Sequence, residues 1–142
     1  MNRIKIHELQ PAAYEAMFGL EKYLGTTDLP GQLVEMIKTR ASQINGCAYC
    51  IQMHSKAAQK LNETTERLLA LSGWKESPLF TAQERSVLAL TEEVTRISNH
   101  GVSDVVYEEV SKHFTEVQMA QLIMVITGIN AWNRIAIATQ AQ

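Results

Sequence analysis

The hydrophobic and polar positions of this chain repeat with a helical period, and no stretch alternates as a β-strand would. Apolar residues recur every three or four positions in seven stretches, which glycine, proline or capping residues separate. We predict helices over residues 12–24, 29–44, 47–61, 64–71, 81–98, from about 103, and 115–138. The sequence therefore predicts an all-α, single-domain bundle of about six to seven helices covering residues 1–142.

Several predicted helices have clear end signals. Asn45-Gly46 is typical of a helix C-terminus, and Thr81–Glu84 and Thr115–Gln118 have the form of capping boxes. The last helix is apolar on almost every side, which predicts a buried core helix with part of its surface available to another subunit. We assign its methionine and tryptophan side chains to packing.

Composition and charge exclude several classes of protein. The chain carries 13 basic and 15 acidic residues, a net charge of −2, and they form no basic run. We therefore expect neither nucleic acid nor a membrane surface as a partner. The first residues lack the apolar segment of a signal peptide, and the run Leu122–Ile126 is far shorter than the ~20 residues that span a bilayer. The sequence favours a cytoplasmic location.

The two cysteines, Cys47 and Cys50, lie three positions apart. A disulfide between them would close almost no loop, so redox or metal chemistry is a better explanation than stabilisation. On a helix, offsets of 0, 3 and 7 residues fall within an arc of about 60°, so Cys47, Cys50 and His54 share one face. Because Gly46 precedes the pair, the cysteines should open a helix, whose N-terminus favours the anionic thiolate. His54 can act as a base.

Two other interpretations of this segment remain open. Cys47 and Cys50 could be buried, reduced residues beside a core histidine. Alternatively, Cys47, Cys50 and His54 could bind zinc, although zinc sites usually have four ligands and the remaining histidines are isolated along the chain. Those histidines are His7, His100 and His113.

The cysteine segment and its flanks resemble the alkylhydroperoxidase D (AhpD)-like core of the carboxymuconolactone decarboxylase superfamily. The resemblance lies in Glu35, eleven intervening residues, and then Cys47-x-x-Cys50-x-x-x-His54. The segments 40–47, 74–85 and 130–135 fit as well, so the resemblance covers nearly the whole chain.

The resemblance implies an all-helical fold that assembles as a homo-oligomer, a trimer or hexamer. It also implies a thiol pair that reduces hydroperoxides or disulfides, with a proton relay through Glu35 and His54. A dithiol reductant or redox partner protein would restore the pair, and no metal, flavin or haem cofactor is required. Decarboxylase members of the superfamily lack the cysteine pair, which argues against lactone decarboxylation here.

Tyr49 is a departure from the family pattern. The best-known peroxidase of the family has a histidine between its two cysteines, where this chain has a phenol. A phenol is a poor proton carrier at neutral pH. The resemblance therefore implies thiol chemistry more firmly than it implies full peroxidase efficiency.

Glu35 is assigned differently by periodicity and by resemblance. In the second predicted helix it lies opposite the apolar arc, which alone predicts a solvated residue beside Lys38. The resemblance instead places it in the relay. Arg40 is the converse case, since it lies inside the apolar arc and should pair with a carboxylate or extend to solvent.

The sequence thus favours an enzyme in which Cys50 attacks a hydroperoxide and Cys47 resolves the product. Cys50 is preferred as the nucleophile because His54 lies one helical turn from it, whereas seven residues, about 10.5 Å, separate His54 from Cys47. The principal alternative is a non-catalytic binding or redox-sensing protein on the same scaffold.

Overall fold

The computed structural model describes residues 1–142 as nine α-helices and one 3₁₀ turn, without β-strands. The all-α prediction is confirmed, although the helices are more numerous than the six to seven expected. The bounds are α1 Ile6–Leu9, α2 Pro11–Leu24, α3 Gly31–Asn45, α4 Ala48–Lys60, α5 Thr65–Ala70, the 3₁₀ turn Leu71–Gly73, α6 Ala82–Thr95, α7 Ile97–His100, α8 Asp104–Ser111 and α9 Glu116–Thr139.

The additional helices, α1 and α7, are four residues long. Helix α7 arises because the predicted fifth helix does not continue to residue 98. It ends at Thr95, where Arg96 leaves helical geometry with φ −100° and ψ 41°. Both capping boxes are present, with Thr81 and Thr115 each accepting a hydrogen bond from the backbone N–H three residues on. The local end signals therefore located these two helix starts.

Helices α3 and α9 lie at the centre of the molecule. Helix α3 packs against α4, α6 and α9, and most of the buried apolar side chains form one cluster of 17 residues. Helix α9 is long and apolar enough to cross a membrane by length and composition, which is weak evidence because core helices of soluble proteins also meet that test. In this fold α9 contributes Leu122, Val125, Ile126 and Ile129 to the interior.

The central position of α3 brings polar side chains into the interior. Arg40 is paired with Glu92 of α6, with Nη2 and Oε1 2.9 Å apart, and the indole of Trp74 donates to the same oxygen at 2.9 Å. Burial raises the pKa of the Glu92 carboxyl, but the hydrogen bonds from Arg40 and Trp74 and the charge of Lys75 outweigh it, so the pKa lies below its usual value. The sequence expectation that Arg40 pairs with a carboxylate is met here.

Replacing Arg40 with methionine should lower the free energy of unfolding at pH 7 by about 3 kcal/mol, because Glu92 would keep a partly buried charge without its main partner. Glu92 has a lowered pKa in the folded state. The stability that the ionised Glu92 carboxylate contributes is therefore fully present above the unfolded pKa of about 4.3, and it is lost as the pH falls through the pKa of the folded state. Urea denaturation across pH should show the difference between wild type and Arg40→Met shrinking in acid. Arg96 is exposed, so Arg96→Met is the control, and its free energy of unfolding should stay within about 0.5 kcal/mol of wild type. An equal loss at every pH would contradict this account.

The turn between α3 and α4 depends on Gly46. This residue has φ +72° and ψ 31°, and its N–H bonds the carbonyl of Gln43 while the N–H of Cys47 bonds the carbonyl of Ser42. This is a Schellman motif, which ends the helix in a left-handed residue. The motif places Cys47 immediately before the first turn of α4.

Substituting alanine for Gly46 should cost about 1 kcal/mol of stability, because a side chain disfavours positive φ. Steric crowding would add nothing, since no atom lies within 4 Å of a Cβ built there. Gly73→Ala is a matched control, because its surroundings are equally open and its φ is not in the left-handed region. That variant should be neutral or slightly stabilising in chemical denaturation. Equal effects at both glycines would exclude backbone strain as the cause.

Candidate active site

Cys47 and Cys50 form a disulfide at the N-terminus of α4, with their Cα atoms 5.3 Å apart. Cys47 is the N-cap residue, and its sulfur accepts a hydrogen bond from the backbone N–H of Cys50 at 3.3 Å. Both side chains are buried, with exposures of 2% and 3%. The pair therefore lies at the start of a helix, is oxidised, and is largely shielded from solvent.

His54 and Glu35 meet between α4 and α3. Nδ1 of His54 lies 2.8 Å from Oε2 of Glu35, and the two side chains are 14% and 17% exposed. The solvated position that periodicity alone predicts for Glu35 is therefore wrong, because α3 is covered by α4 on the side away from its apolar arc. Lys38 pairs not with Glu35 but with Glu21 of α2, at 3.3 Å.

A cavity of about 480 Å³ lies beside the cysteine pair. Cys50 and His54 line it, whereas Cys47 and Glu35 do not. Tyr49 also lines it and is 42% exposed. The cavity thus brings together one sulfur of the pair, the imidazole and the phenol that separates the cysteines.

Most of the cavity wall comes from residues that the sequence does not assign to a site. Three of them are aromatic, and one of these, Trp132, is a residue that the sequence assigns to packing. The local sequence gives little indication of this cavity, because its wall is assembled from three further helices, α2, α3 and α9. The i,i+4 spacing of Tyr14 and Phe18 is the local pattern that could have indicated it. The wall residues beyond the cysteine helix include Tyr14, Phe18, Glu21, Lys38, Ile129, Trp132 and Ile135.

A buried amide network holds the turn before Cys47. The side-chain amide of Asn45 donates to Oδ1 of Asn130 at 3.0 Å and to Oδ1 of Asn133 at 2.9 Å. Asn133 donates in turn to Ser42, and Asn130 to Thr95, both at 3.0 Å. Because buried amides are costly to leave unpaired, the network fixes the start of α4 against α9.

No group of three or more histidine, cysteine, aspartate or glutamate side chains is arranged to hold a metal ion. The zinc interpretation of Cys47, Cys50 and His54 therefore receives no geometric support from the disulfide form.

A disulfide at a helix N-terminus, flanked by a histidine–carboxylate pair and a cavity, defines an AhpD-like helical protein. The model of the carboxymuconolactone decarboxylase family matches residues 11–93, and the chain belongs to that family. The resemblance drawn from the sequence is confirmed.

The chain is also similar to individual proteins over nearly its full length. It is 38% identical over 136 residues to the uncharacterized protein YdfG of Bacillus subtilis (strain 168), covering 96% of this chain and 92% of YdfG. A protein of unknown function from Agrobacterium tumefaciens, suggested to be the antioxidant defence protein AhpD, has a TM-score of 0.96 and 35% identity, covering 100% and 97% of the two chains. An uncharacterized peroxidase-related protein from Silicibacter sp. TM1040 has a TM-score of 0.81 and 26% identity, covering 90% and 68%.

Proposed function

We propose that this protein is a thiol-dependent oxidoreductase that reduces hydroperoxides, or disulfides, through Cys47 and Cys50. The observation that carries the proposal is the position of Cys50, which is bonded to Cys47 and faces a cavity shared with His54. The suggested antioxidant role of the Agrobacterium tumefaciens protein supports the same chemistry. We assign antioxidant defence as the role and the cytoplasm as the location.

The oxidative half of the reaction begins with the reduced pair. The Cys50 thiolate attacks the outer oxygen of a hydroperoxide, the O–O bond breaks, and the leaving alkoxide takes a proton to become an alcohol. His54 supplies this proton, and its 2.8 Å contact with Glu35 orients the imidazole. Cys50 is left as a sulfenic acid. The Cys47 thiol then attacks the Cys50 sulfur, forming the disulfide and releasing water.

The reductive half needs a dithiol from outside the chain. Its thiolate attacks the Cys50 sulfur, which is the sulfur on the cavity, and the bond to Cys47 breaks. The departing Cys47 thiolate is stabilised where it lies, because it caps α4 and accepts the N–H of Cys50. The second thiol of the reductant then releases Cys50, which leaves the pair reduced and the reductant as a disulfide.

Mass spectrometry of the peptide that contains Cys47 and Cys50 tests this function directly. The purified protein is first reduced, then exposed to graded hydroperoxide with and without a dithiol. We expect conversion to an intramolecular disulfide, its reversal by the dithiol, and steady consumption of hydroperoxide when both reagents are present. A reversible disulfide without turnover would instead indicate a redox sensor, and covalent dimers as the main product would contradict the intramolecular reaction.

The assembly that we propose is a homotrimer or homohexamer. Several large apolar side chains remain exposed on the isolated chain, among them Leu69, Val105, Val117 and Ile137. Such surfaces are commonly buried between subunits. Light scattering at micromolar concentration should give three or six times the chain mass of 15.9 kDa, and a monomer mass would contradict it.

A further inference from the structure

One wall of the cavity beside Cys50 consists of three aromatic rings that the redox chemistry does not use. The ring of Trp132 lies 5.5 Å from that of Tyr14 and 5.9 Å from that of Phe18, measured between centroids. Tyr14 and Phe18 are also 5.9 Å apart. Phe18 is 59% exposed, so this cluster is not a closed core but an aromatic surface facing an open space. We call these three residues the aromatic wall.

The orientation of Trp132 in the aromatic wall is fixed by a hydrogen bond to a carboxylate that is itself paired with a lysine. The indole N–H of Trp132 donates to Oε1 of Glu21 at 3.0 Å, and Lys38 donates to Oε2 of the same carboxylate at 3.3 Å. Lys38 is only 10% exposed. Both oxygens of the carboxylate thus accept a hydrogen bond, and Lys38 balances its charge. This side of the cavity therefore presents an indole in a fixed position and no unpaired charge. An uncharged ligand suits it better than an ionic one.

We propose that the aromatic wall binds the aromatic group of an uncharged hydroperoxide substrate, which holds its peroxide oxygen at Cys50. Aromatic rings attract one another in offset or edge-to-face contact. Tyr14, Phe18 and Trp132 all line the cavity that Cys50 also lines, and Phe18 is exposed there. The volume of about 480 Å³ is typical of small-molecule sites. Hydrogen peroxide would leave the wall unused.

This inference rests on the proposed function and names its substrate class. The reaction consumes an aryl-substituted alkyl hydroperoxide and the two thiols of Cys47 and Cys50. The O–O bond breaks, the substrate becomes the corresponding alcohol, the pair becomes a disulfide and one water is released. Two electrons pass from the thiols to the peroxide, and a dithiol reductant returns them. The alcohol keeps the aromatic group, so it should bind the wall even when the pair is oxidised.

Tryptophan fluorescence of the disulfide form measures that binding without any turnover. The probe is 2-phenyl-2-propanol, the alcohol produced from cumene hydroperoxide. Trp74, which is buried and bonded to Glu92, is the other tryptophan of the chain. We expect the probe to change the emission of wild type and of Trp74→Phe and to leave Trp132→Phe unaffected. The aromatic site would be overturned if the probe left the emission of Trp74→Phe unchanged. It would also be overturned if the emission changed with protein concentration and not with probe concentration.

Steady-state kinetics of Phe18→Ala supply a second test, in a variant whose exposed side chain has little part in folding. We expect kcat/KM for cumene hydroperoxide to fall about tenfold, mainly through KM, and kcat/KM for hydrogen peroxide to stay within about twofold. Tyr107→Ala, on α8 and 48% exposed, is the matched control and should behave as wild type with both peroxides. Equal losses with both peroxides would overturn the aromatic site.

The two tests separate this inference from the proposed function. Probe binding without reduction of any hydroperoxide would leave the aromatic site in place and refute the peroxidase function. Reduction of both peroxides without probe binding would refute the aromatic site and leave the function.

Discussion

Replacing Cys50 with serine is expected to abolish hydroperoxide reduction, with a loss of about 10³-fold or more, because no other sulfur of the pair faces the cavity. Replacing Cys47 should have a different consequence. Cys47→Ser keeps the attacking sulfur but removes the thiol that resolves the product, so the protein should stop after one turnover as a Cys50 sulfenic acid. A dimedone-type probe followed by mass spectrometry should label Cys50 in that variant.

The two cysteines have different surroundings, which makes the assignment of Cys50 as nucleophile and Cys47 as resolving thiol testable. Helix N-terminal electrostatics favour Cys47, since it is the N-cap residue and accepts the N–H of Cys50. Access favours Cys50, which lies on the cavity with His54. A dipole contribution of about 0.3–1 kcal/mol is smaller than the rate gain from a positioned acid or base. Ala48→Ser, on the exposed residue between them, is the control for introducing a hydroxyl there. Labelling of Cys47 in Cys50→Ser, with Cys50 unlabelled in Cys47→Ser, would reverse the roles.

Changing Glu35 to glutamine should slow thiol oxidation by about 10²–10⁴-fold, the usual contribution of acid–base assistance. The amide can still bond His54 across the 2.8 Å contact, so the position of the imidazole is retained while the negative charge of the carboxylate beside it is lost. Stopped-flow oxidation by hydroperoxide measures the rate, and urea denaturation measures stability, which should change by about 1 kcal/mol.

The exposed Glu66 of α5 offers a control of the same chemical type. Glu66→Gln should oxidise at the wild-type rate with unchanged stability. If Glu35→Gln also oxidised at the wild-type rate, its contact with His54 would be structural and the relay would have to be abandoned. A loss of stability without a change of rate would lead to the same conclusion.

The sequence predicted those features that depend on neighbours along the chain. The left-handed turn at Gly46 and the capping boxes at Thr81 and Thr115 were located correctly, because each is a local hydrogen-bonding motif. The start of α4 at the cysteine pair follows from the same turn. Short helices such as α7 were missed, since four residues carry no periodic signal.

Features that depend on distant contacts were predicted less well. Periodicity assigns one buried face to α3, but this helix is enclosed on several sides, so Glu35 turns inward to His54 and Lys38 reaches Glu21. Only the family resemblance placed Glu35 in the site. Trp132 contributes to the cavity because α9 packs against both α2 and α4, which no local spacing reveals.

The amide network around Asn45 has a consequence for how the protein is made. The residues that Asn45 binds, Asn130 and Asn133, follow it by 85 and 88 positions. At a synthesis rate of about 5–20 residues per second, the cysteine segment emerges from the ribosome about 4–17 s before the helix that fixes it. During that interval the thiols lack the part of the cavity lining that α9 contributes, and the turn before Cys47 is not yet anchored. The nascent chain therefore acquires its reactive arrangement only after α9 has been synthesised.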